Sequence, residues 1–203
     1  MRIRPVGTHA LLLDCDDPDQ VQAWRAELWQ RREAGELAAG EIVPAAATVL
    51  LDGVPDPIVT AALIAGWTPH PATNAAAAEE VQVPTVYDGE DLPLVADHWG
   101  VDVPAVIERL RRTEFRVAFC GFAPGFAYLT GLPAELAVPR LATPRPRVPA
   151  GSVALAGPYA GIYPTASPGG WLLVGRTDLA LFDVHADPPA RLTPGTRVRL
   201  GPA

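Results

Sequence analysis

The spacing of proline and glycine is the feature that most constrains how this chain can fold. The 203 residues include 18 glycines and 23 prolines, which become denser after Phe119. No apolar run after Leu110 is long and periodic enough for a good helix, yet apolar residues stay interleaved with the turn residues. Short strands are therefore expected at 115–120, 152–156, 171–176 and 196–200. The pattern predicts a closed β structure, a barrel or a sandwich, for residues 81–203.

The first 80 residues predict a separate, small α+β domain. Asp-Pro pairs at 17–18 and 56–57 have the composition of a helix start, and the two helices should end near Gly35 and Gly66. Strands are expected at 8–14, 41–44, 47–52 and 79–86. The resulting order, β-α-β-β-α-β, is that of the split βαβ or ferredoxin-like fold.

Local sequence patterns make three more predictions about this framework. Val21, Trp24 and Leu28 recur on one side of the first helix, so they should face a core. Residues 73–78 are interpreted as a linker, and 91–110 as two short helices separated at Gly100.

Charge and cysteine content exclude several classes of function. The net charge is −7, and all 16 positive side chains are arginines without a continuous basic stripe, which argues against nucleic-acid binding. Two cysteines are too few for a disulfide framework. No apolar stretch approaches the ~20 residues of a membrane helix. We therefore expect a cytoplasmic protein that does not act in a membrane.

Generic catalytic signatures are absent from the sequence. It has no GxxxxGK[ST] nucleotide loop, no HExxH and no GxSxG. The four histidines share no metal-ligand spacing. No metal or biotin site is therefore predicted in this chain, and no residue is assigned as catalytic. Three dense segments remain as candidates for substrate binding.

The first candidate segment is FCGFAPGFAYLTGLP, residues 119–133. A glycine-lined loop with aromatic walls can present backbone N–H groups to a small anion. The same composition also suits tight turns and aromatic packing at a barrel end. The candidate residues here are Gly121, Pro124, Gly125 and Phe126.

The second segment is TPRPRVPAGSVALAG, residues 143–157. Its prolines hold the backbone extended, which would put Arg145 and Arg147 on one face. Two adjacent guanidinium groups need an acidic partner, and a ligand carboxylate or phosphate fits their planar geometry. A salt bridge within the chain or to another subunit is an equally good interpretation. Ser152 is a candidate for contributing a hydroxyl.

The third segment is GIYPTASPGGWLLVGRT, residues 161–177. A Ser-Pro-Gly-Gly turn lies between two aromatic residues that can form either the wall of a pocket or part of a core. The candidates here are Tyr163, Ser167, Gly169, Gly170 and Trp171. Arg176 is expected to form a structural ion pair with Asp183.

Together these segments resemble one family. GFAPGFAYLTGLP, TPRPRVPAGSV, GIYPTASPGGWLLVGRT and the closing PPARLTPGTRVRL are similar in order and spacing to the family of 5-oxoprolinase B subunits, over Phe115 to Leu200. This family is also called allophanate hydrolase subunit 1 or KipI-like, with a carboxyltransferase domain of the subdomain A/B type. Two positions depart from the pattern: Asp88 stands where a glycine is usual, and Leu110 where many members have a histidine.

The resemblance implies a cyclophilin-like β-barrel after the α+β domain. It also implies a subunit that works with a carboxyltransferase-like C subunit and an A subunit, opening 5-oxo-L-proline to L-glutamate with ATP hydrolysis. ATP would be used by the complex and not bound by this chain alone, and the chain alone would be inactive. The alternatives within the resemblance are a KipI-like inhibitor of a sensor histidine kinase, and half of a urea carboxyltransferase or allophanate hydrolase system.

Overall fold

The computed structural model describes residues 1–69 and 80–203. The predicted linker at 73–78 and His70 lie outside these residues. The chain divides into two compact units, Met1–Ala77 and Ala78–Ala203. Each unit has its own hydrophobic core, and the two units are described separately.

The first unit is a four-stranded antiparallel sheet with two helices. Asp17 and Asp56 cap the helices, because their side chains accept hydrogen bonds from the backbone N–H groups of the first turn. The predicted core positions Val21, Trp24 and Leu28 are confirmed as buried. The elements are β1 (Arg2–Val6), β2 (Ala10–Asp14), α1 (Pro18–Glu33), β3 (Glu41–Pro44), β4 (Thr48–Asp52) and α2 (Pro57–Ala65).

The strand order of this sheet is β1-β2-β4-β3. The ferredoxin-like order predicted for the domain is not confirmed. The expectation that the strand at 79–86 completes this sheet is wrong, because Glu80–Thr85 pairs with a strand of the second unit. The outer position beside β2 is taken by β1, which was not predicted as a strand because RIRPV contains a proline and is largely exposed.

The second unit is mostly β with two helices packed on it. Its main sheet has seven strands in the order β12-β9-β10-β7-β6-β13-β5, and β8 pairs with β11 in a separate ribbon. The elements are β5 (Glu80–Thr85), α3 (Leu92–Trp99), α4 (Val103–Arg112), β6 (Phe115–Cys120), β7 (Ala127–Thr130), a 3₁₀ turn (Ala134–Leu136), β8 (Arg145–Val148), β9 (Ser152–Ala156), β10 (Tyr159–Ile162), β11 (Ser167–Gly169), β12 (Leu172–Arg176) and β13 (Arg197–Pro202).

The seven-stranded sheet is nearly closed into a barrel. Its two outer strands meet where Val86, just after β5, exchanges backbone hydrogen bonds with Arg176 of β12, both 2.9 Å long. Closure protects the outer strands, which would otherwise present unpaired backbone groups. The predicted β barrel is therefore confirmed in this coarse sense, while its cyclophilin-like character stays a prediction. None of the helices in the described ranges is long and apolar enough to cross a membrane.

Candidate functional site in the barrel unit

An aromatic cluster joins the first and third candidate segments. The ring of Phe126 meets the rings of Phe122, Tyr128, Tyr163 and Trp171 edge-on, with centroids 5.1–5.4 Å apart. Phe126, Tyr163 and Trp171 are only 2%, 2% and 5% exposed. The structure therefore brings these three candidates together as a small core, and they do not form an open pocket wall.

The loop before Phe126 is a tight turn on the surface. Gly121 and Phe126 close it with a backbone hydrogen bond of 3.2 Å. Phe122 has a left-handed backbone (φ 69°) and is 61% exposed, an unusual combination for a bulky residue. The candidates Gly121 and Pro124 are exposed here, whereas Gly125 is buried.

Tyr163 and Gly169 are packed against each other. A Cβ atom at Gly169 would lie 2.2 Å from the Tyr163 hydroxyl, so only glycine fits beside it. That hydroxyl also accepts a hydrogen bond from the backbone amide of Trp171, and burial raises its pKa. Tyr163 is therefore held as a neutral structural group. The neighbouring candidate Ser167 donates its hydroxyl to the carbonyl of Thr165 (3.0 Å).

Arg145 is held by two carboxylates of the same unit. Its Nη2 atom lies 2.8 Å from both oxygens of Asp91, and its Nε atom lies 2.8 Å from Glu90. Asp91 is 3% exposed and also accepts the backbone N–H of Leu173 at 2.6 Å. Burial lowers the pKa of Arg145, but the hydrogen bonds and negative charges of Asp91 and Glu90 together outweigh it, so that the pKa is raised. Arg145 therefore forms a salt bridge within the chain, which was the alternative to binding an acidic ligand.

The remaining candidates of the second segment differ from Arg145. Arg147 is exposed and has no carboxylate partner among residues 1–69 and 80–203. Ser152 is 5% exposed and follows Gly151, whose backbone is left-handed (φ 79°) and whose added Cβ would lie 2.1 Å from the Thr177 carbonyl. The close contact between the Gly151 and Thr177 backbones therefore fixes the start of β9, where Ser152 is buried in the barrel wall.

Arg176 and Leu110 both have structural contacts within the barrel unit. Arg176 pairs with Asp88 at 2.8 Å, so the expected pairing with Asp183 is wrong. Asp88 stands at the position where the family resemblance has a glycine, and here its side chain helps to hold the end of β12. Leu110 is fully buried in the main core. Its side chain therefore serves packing at the position where many members have a histidine.

Two cavities lie beside these residues. One has a volume of about 280 Å³ and is lined by Arg140, Leu141 and the candidates Gly169 and Gly170. The other, of about 480 Å³, shares Arg140 and Leu141 with the first and also contains His98. Both volumes are near or within the about 300–1,000 Å³ typical of small-molecule sites.

Five polar side chains that were not among the predicted site residues lie in this region: Glu90, Asp91, Asp97, His98 and Arg140. Glu90 and Asp91 lie in the segment YDGEDLPLVADHWG, and two adjacent acidic residues in that segment are a signal by which they could have been found. Nothing in the local pattern pairs residue 91 with residue 145, because that contact depends on the barrel. In the part of the chain that the structure describes, no group of three or more His, Cys, Asp or Glu side chains could hold a metal ion.

The fold is that of a carboxyltransferase-type domain. The family model described as "Carboxyltransferase domain, subdomain C and D" matches residues 1–192, and the chain belongs to that family. The match replaces the expected subdomain A/B type by subdomains C and D. Two solved urea enzymes from Kluyveromyces lactis share the fold: a urea amidolyase (19% identity, TM-score 0.71) and a urea carboxylase (18% identity, TM-score 0.68). Each match covers 99% of this chain. It covers only 15% of the amidolyase chain and 21% of the carboxylase chain.

Curated relatives confirm the predicted resemblance. Proteins named as the B subunit of 5-oxoprolinase, from Escherichia coli O157:H7 and Bacillus subtilis, are 49% and 43% identical over 60% and 59% of this chain. The one from Haemophilus influenzae is also 43% identical, over 59% of the chain. The matched segments span 57%, 51% and 57% of these relatives, so the chain spans little more than half of their length.

Two further solved structures cover the whole of this chain. It is 33% identical to TTHA0988, with a TM-score of 0.76, and spans 40% of that longer chain. It is 32% identical to PH0987 from Pyrococcus horikoshii, with a TM-score of 0.58, and spans 97% of that chain. The two-unit architecture therefore occurs both as a chain of about this length and within a longer one.

Proposed function

We propose that this chain is the non-autonomous B subunit of an ATP-dependent 5-oxoprolinase. Such a complex is an amidohydrolase that opens the cyclic amide of 5-oxo-L-proline to give L-glutamate, with hydrolysis of ATP. The observation that carries the proposal is the 43–49% identity to three relatives, from three bacterial species, that are all named as the B subunit of 5-oxoprolinase. The urea enzymes share only the fold at 18–19% identity and so do not indicate urea as a substrate.

The chemistry explains why other subunits are needed. A lactam is a poor electrophile at neutral pH, and phosphorylating its oxygen activates the ring carbon for attack by water. The sequence has no Walker-type nucleotide loop. We propose that ATP is bound mainly by an A subunit or at a shared interface, and that a carboxyltransferase-like C subunit completes the site. No metal or biotin is assigned to this chain.

Within that complex, Arg145 and Arg147 have different roles. Arg145 is bound to Asp91 and Glu90, so we assign it to holding β8 in place. Arg147 is exposed on the same strand and has no carboxylate partner in the described part of the chain, so we assign it to an anionic group, such as the phosphorylated intermediate. Of the other candidates, Ser167 lies opposite Val148, the residue after Arg147, whereas Phe126, Tyr163 and Trp171 form the buried aromatic core of this unit.

Co-expression with the A and C subunits tests the proposal. The purified complex should release glutamate from 5-oxoproline only when ATP is present, and this chain alone should release none. Arg147→Ala should lower kcat/KM of the complex about 10-fold or more while the melting temperature is unchanged. A complete complex without ATP-dependent glutamate release would contradict the function, and full activity of the Arg147 variant would contradict only the role of that residue.

A further inference from the structure

The 480 Å³ cavity combines an apolar lining with three polar groups. Leu94, Leu141 and Leu172 contribute apolar surface, and Asp97, His98 and Arg140 contribute charge and hydrogen-bonding capacity. A concave apolar site with a few convergent polar groups is the usual form of a small-molecule site. The smaller cavity shares Arg140 and Leu141 with it, so the two are neighbours along the segment around residue 140.

Arg140 is the cation of the cavity that can accept a ligand. It has no carboxylate partner within residues 1–69 and 80–203, in contrast to Arg145 with its two acids. A guanidinium group without an acidic partner is suited to bind a planar carboxylate through two parallel hydrogen bonds.

His98 and Asp97 can accept hydrogen bonds from the ligand. The Nε2 atom of His98 lies 3.0 Å from the backbone carbonyl of Ala137, an acceptor, so this nitrogen must carry the proton. In the neutral ring the Nδ1 atom then has the free lone pair. The negative charge of Asp97 in the same lining disfavours ligands with several negative charges, such as nucleotide phosphates.

We infer that this cavity binds a small monocarboxylate that also carries an N–H donor, namely the 5-oxoproline substrate of the proposed function, on which this inference rests. Arg140 binds its carboxylate, and the single lactam N–H donates either to Asp97 or to the Nδ1 atom of His98. The leucines contact the ring methylene groups. The site is thus a binding site of this chain for the substrate before it is phosphorylated, and Arg147 is not among the residues that line it.

Arg140→Gln in the reconstituted complex tests the inference. The KM for 5-oxoproline should rise about 10- to 100-fold, because a charge-assisted hydrogen bond to the carboxylate is lost. The melting temperature should be unchanged, because Arg140 has no ion-pair partner in the described ranges to lose. Arg191→Gln, at an exposed arginine outside both cavities, is the matched control and should leave KM and kcat unchanged. A KM within twofold of the wild-type value in the Arg140 variant overturns the inference.

A direct binding measurement separates this inference from the proposed function. Saturation-transfer NMR of the full-length chain with 5-oxoproline should show binding that Arg140→Gln weakens and Arg191→Gln does not. If the complex has no 5-oxoprolinase activity but this binding is seen, the function fails and the site stands. If the complex is active and the chain shows no Arg140-dependent binding, the site fails and the function stands.

Discussion

At the scale of single residues, Asp91 is a buried polar group that joins three elements of the barrel unit. It is buried at the start of α3, yet its carboxylate forms no cap hydrogen bond with that helix. The carboxylate binds Arg145 and the backbone N–H of Leu173 instead. One side chain therefore ties α3, β8 and β12 together, and the cost of neutralising it should be high.

Asp91→Asn should lower the free energy of unfolding of the barrel unit by roughly 2–4 kcal/mol, since it leaves a partly buried guanidinium with a weaker partner. Urea denaturation should show a lower midpoint with an unchanged slope. The control is Glu90→Gln, which acts on the same guanidinium from a side chain that is 64% exposed. It should cost less than about 1 kcal/mol. Equal losses from the two variants would contradict the special role of Asp91.

Adjacent glycines at 169 and 170 offer a matched pair for testing the packing of Tyr163. Gly169→Ala places a methyl group against the tyrosine hydroxyl and should cost about 1–3 kcal/mol through overpacking. At Gly170 the nearest atom to an added Cβ is 3.5 Å away, so the same change should be neutral or stabilise by up to about 1 kcal/mol. Thermal unfolding of both variants measures the difference. A Gly169→Ala variant as stable as the wild type would show that the Tyr163 side chain can move away from the added methyl group.

Composition located the candidate region but could not assign roles within it. The density of glycine and proline marked the three segments, and Phe126, Tyr163 and Trp171 do meet in space. Whether these aromatic residues form the wall of a pocket or part of a core depends on which other residues cover them. The local sequence does not contain that information. The same limit applies to Arg145, whose acidic partners lie 54 and 55 positions earlier and reach it only through the fold.

At the scale of secondary-structure elements, the sequence predicted long and regular segments better than short ones. The helices at Pro18 and Pro57 and the strand 115–120 were predicted because capping residues and alternation are local signals. Strands β7, β8, β10 and β11 have only three or four residues and lie in the stretch rich in proline and glycine, where no period stands out, whereas β3, which is as short, was predicted. The strand at 80–85 was recognised but assigned to the wrong sheet, since its parallel partner, β13, is more than 100 residues away.

Tyr87 makes the β5–β13 pair sensitive to alkaline pH. Its hydroxyl donates to the Leu200 carbonyl of β13 at 2.9 Å, and burial raises its pKa to about 12, from about 10 in an unfolded chain. Between these values the unfolded chain loses the proton while the folded chain retains it. The contribution of Tyr87 is therefore fully present below pH 10 and is lost as the pH rises towards 12.

Tyr87→Phe should reveal this loss. At pH 7 the variant should be less stable by about 1 kcal/mol, the value of the hydrogen bond. Above pH 10 the wild-type protein should lose stability faster than the variant, so the gap between them should narrow or reverse. Tyr159 and Tyr163, whose pKa values are also raised by burial, remain in both proteins and cancel in the comparison. Urea denaturation at pH 7, 9 and 10.5 measures the gap, and a constant gap would exclude the coupling.

At the scale of the whole molecule, the hydrophobic cores of the two units share no residue. The core of the first unit contains Leu11 and Leu51, both fully buried, and the main core of the second contains Val117 and Leu155. Each core is closed by strands of its own sheet. A domain with a complete core can fold by itself. The stability of each unit should therefore be set mainly by its own core.

Two core truncations test this independence within the full-length chain. Leu51→Ala should destabilise the first unit, and Leu155→Ala the second, each by about 2–5 kcal/mol. Hydrogen exchange read by mass spectrometry reports the two units separately, because their peptides differ. Leu51→Ala should speed exchange in α1 and β4 while β9 and β10 keep their protection, and Leu155→Ala should do the reverse. If either substitution deprotects both units to the same extent, the units unfold together, and the barrel cannot be treated as a module that carries the candidate site by itself.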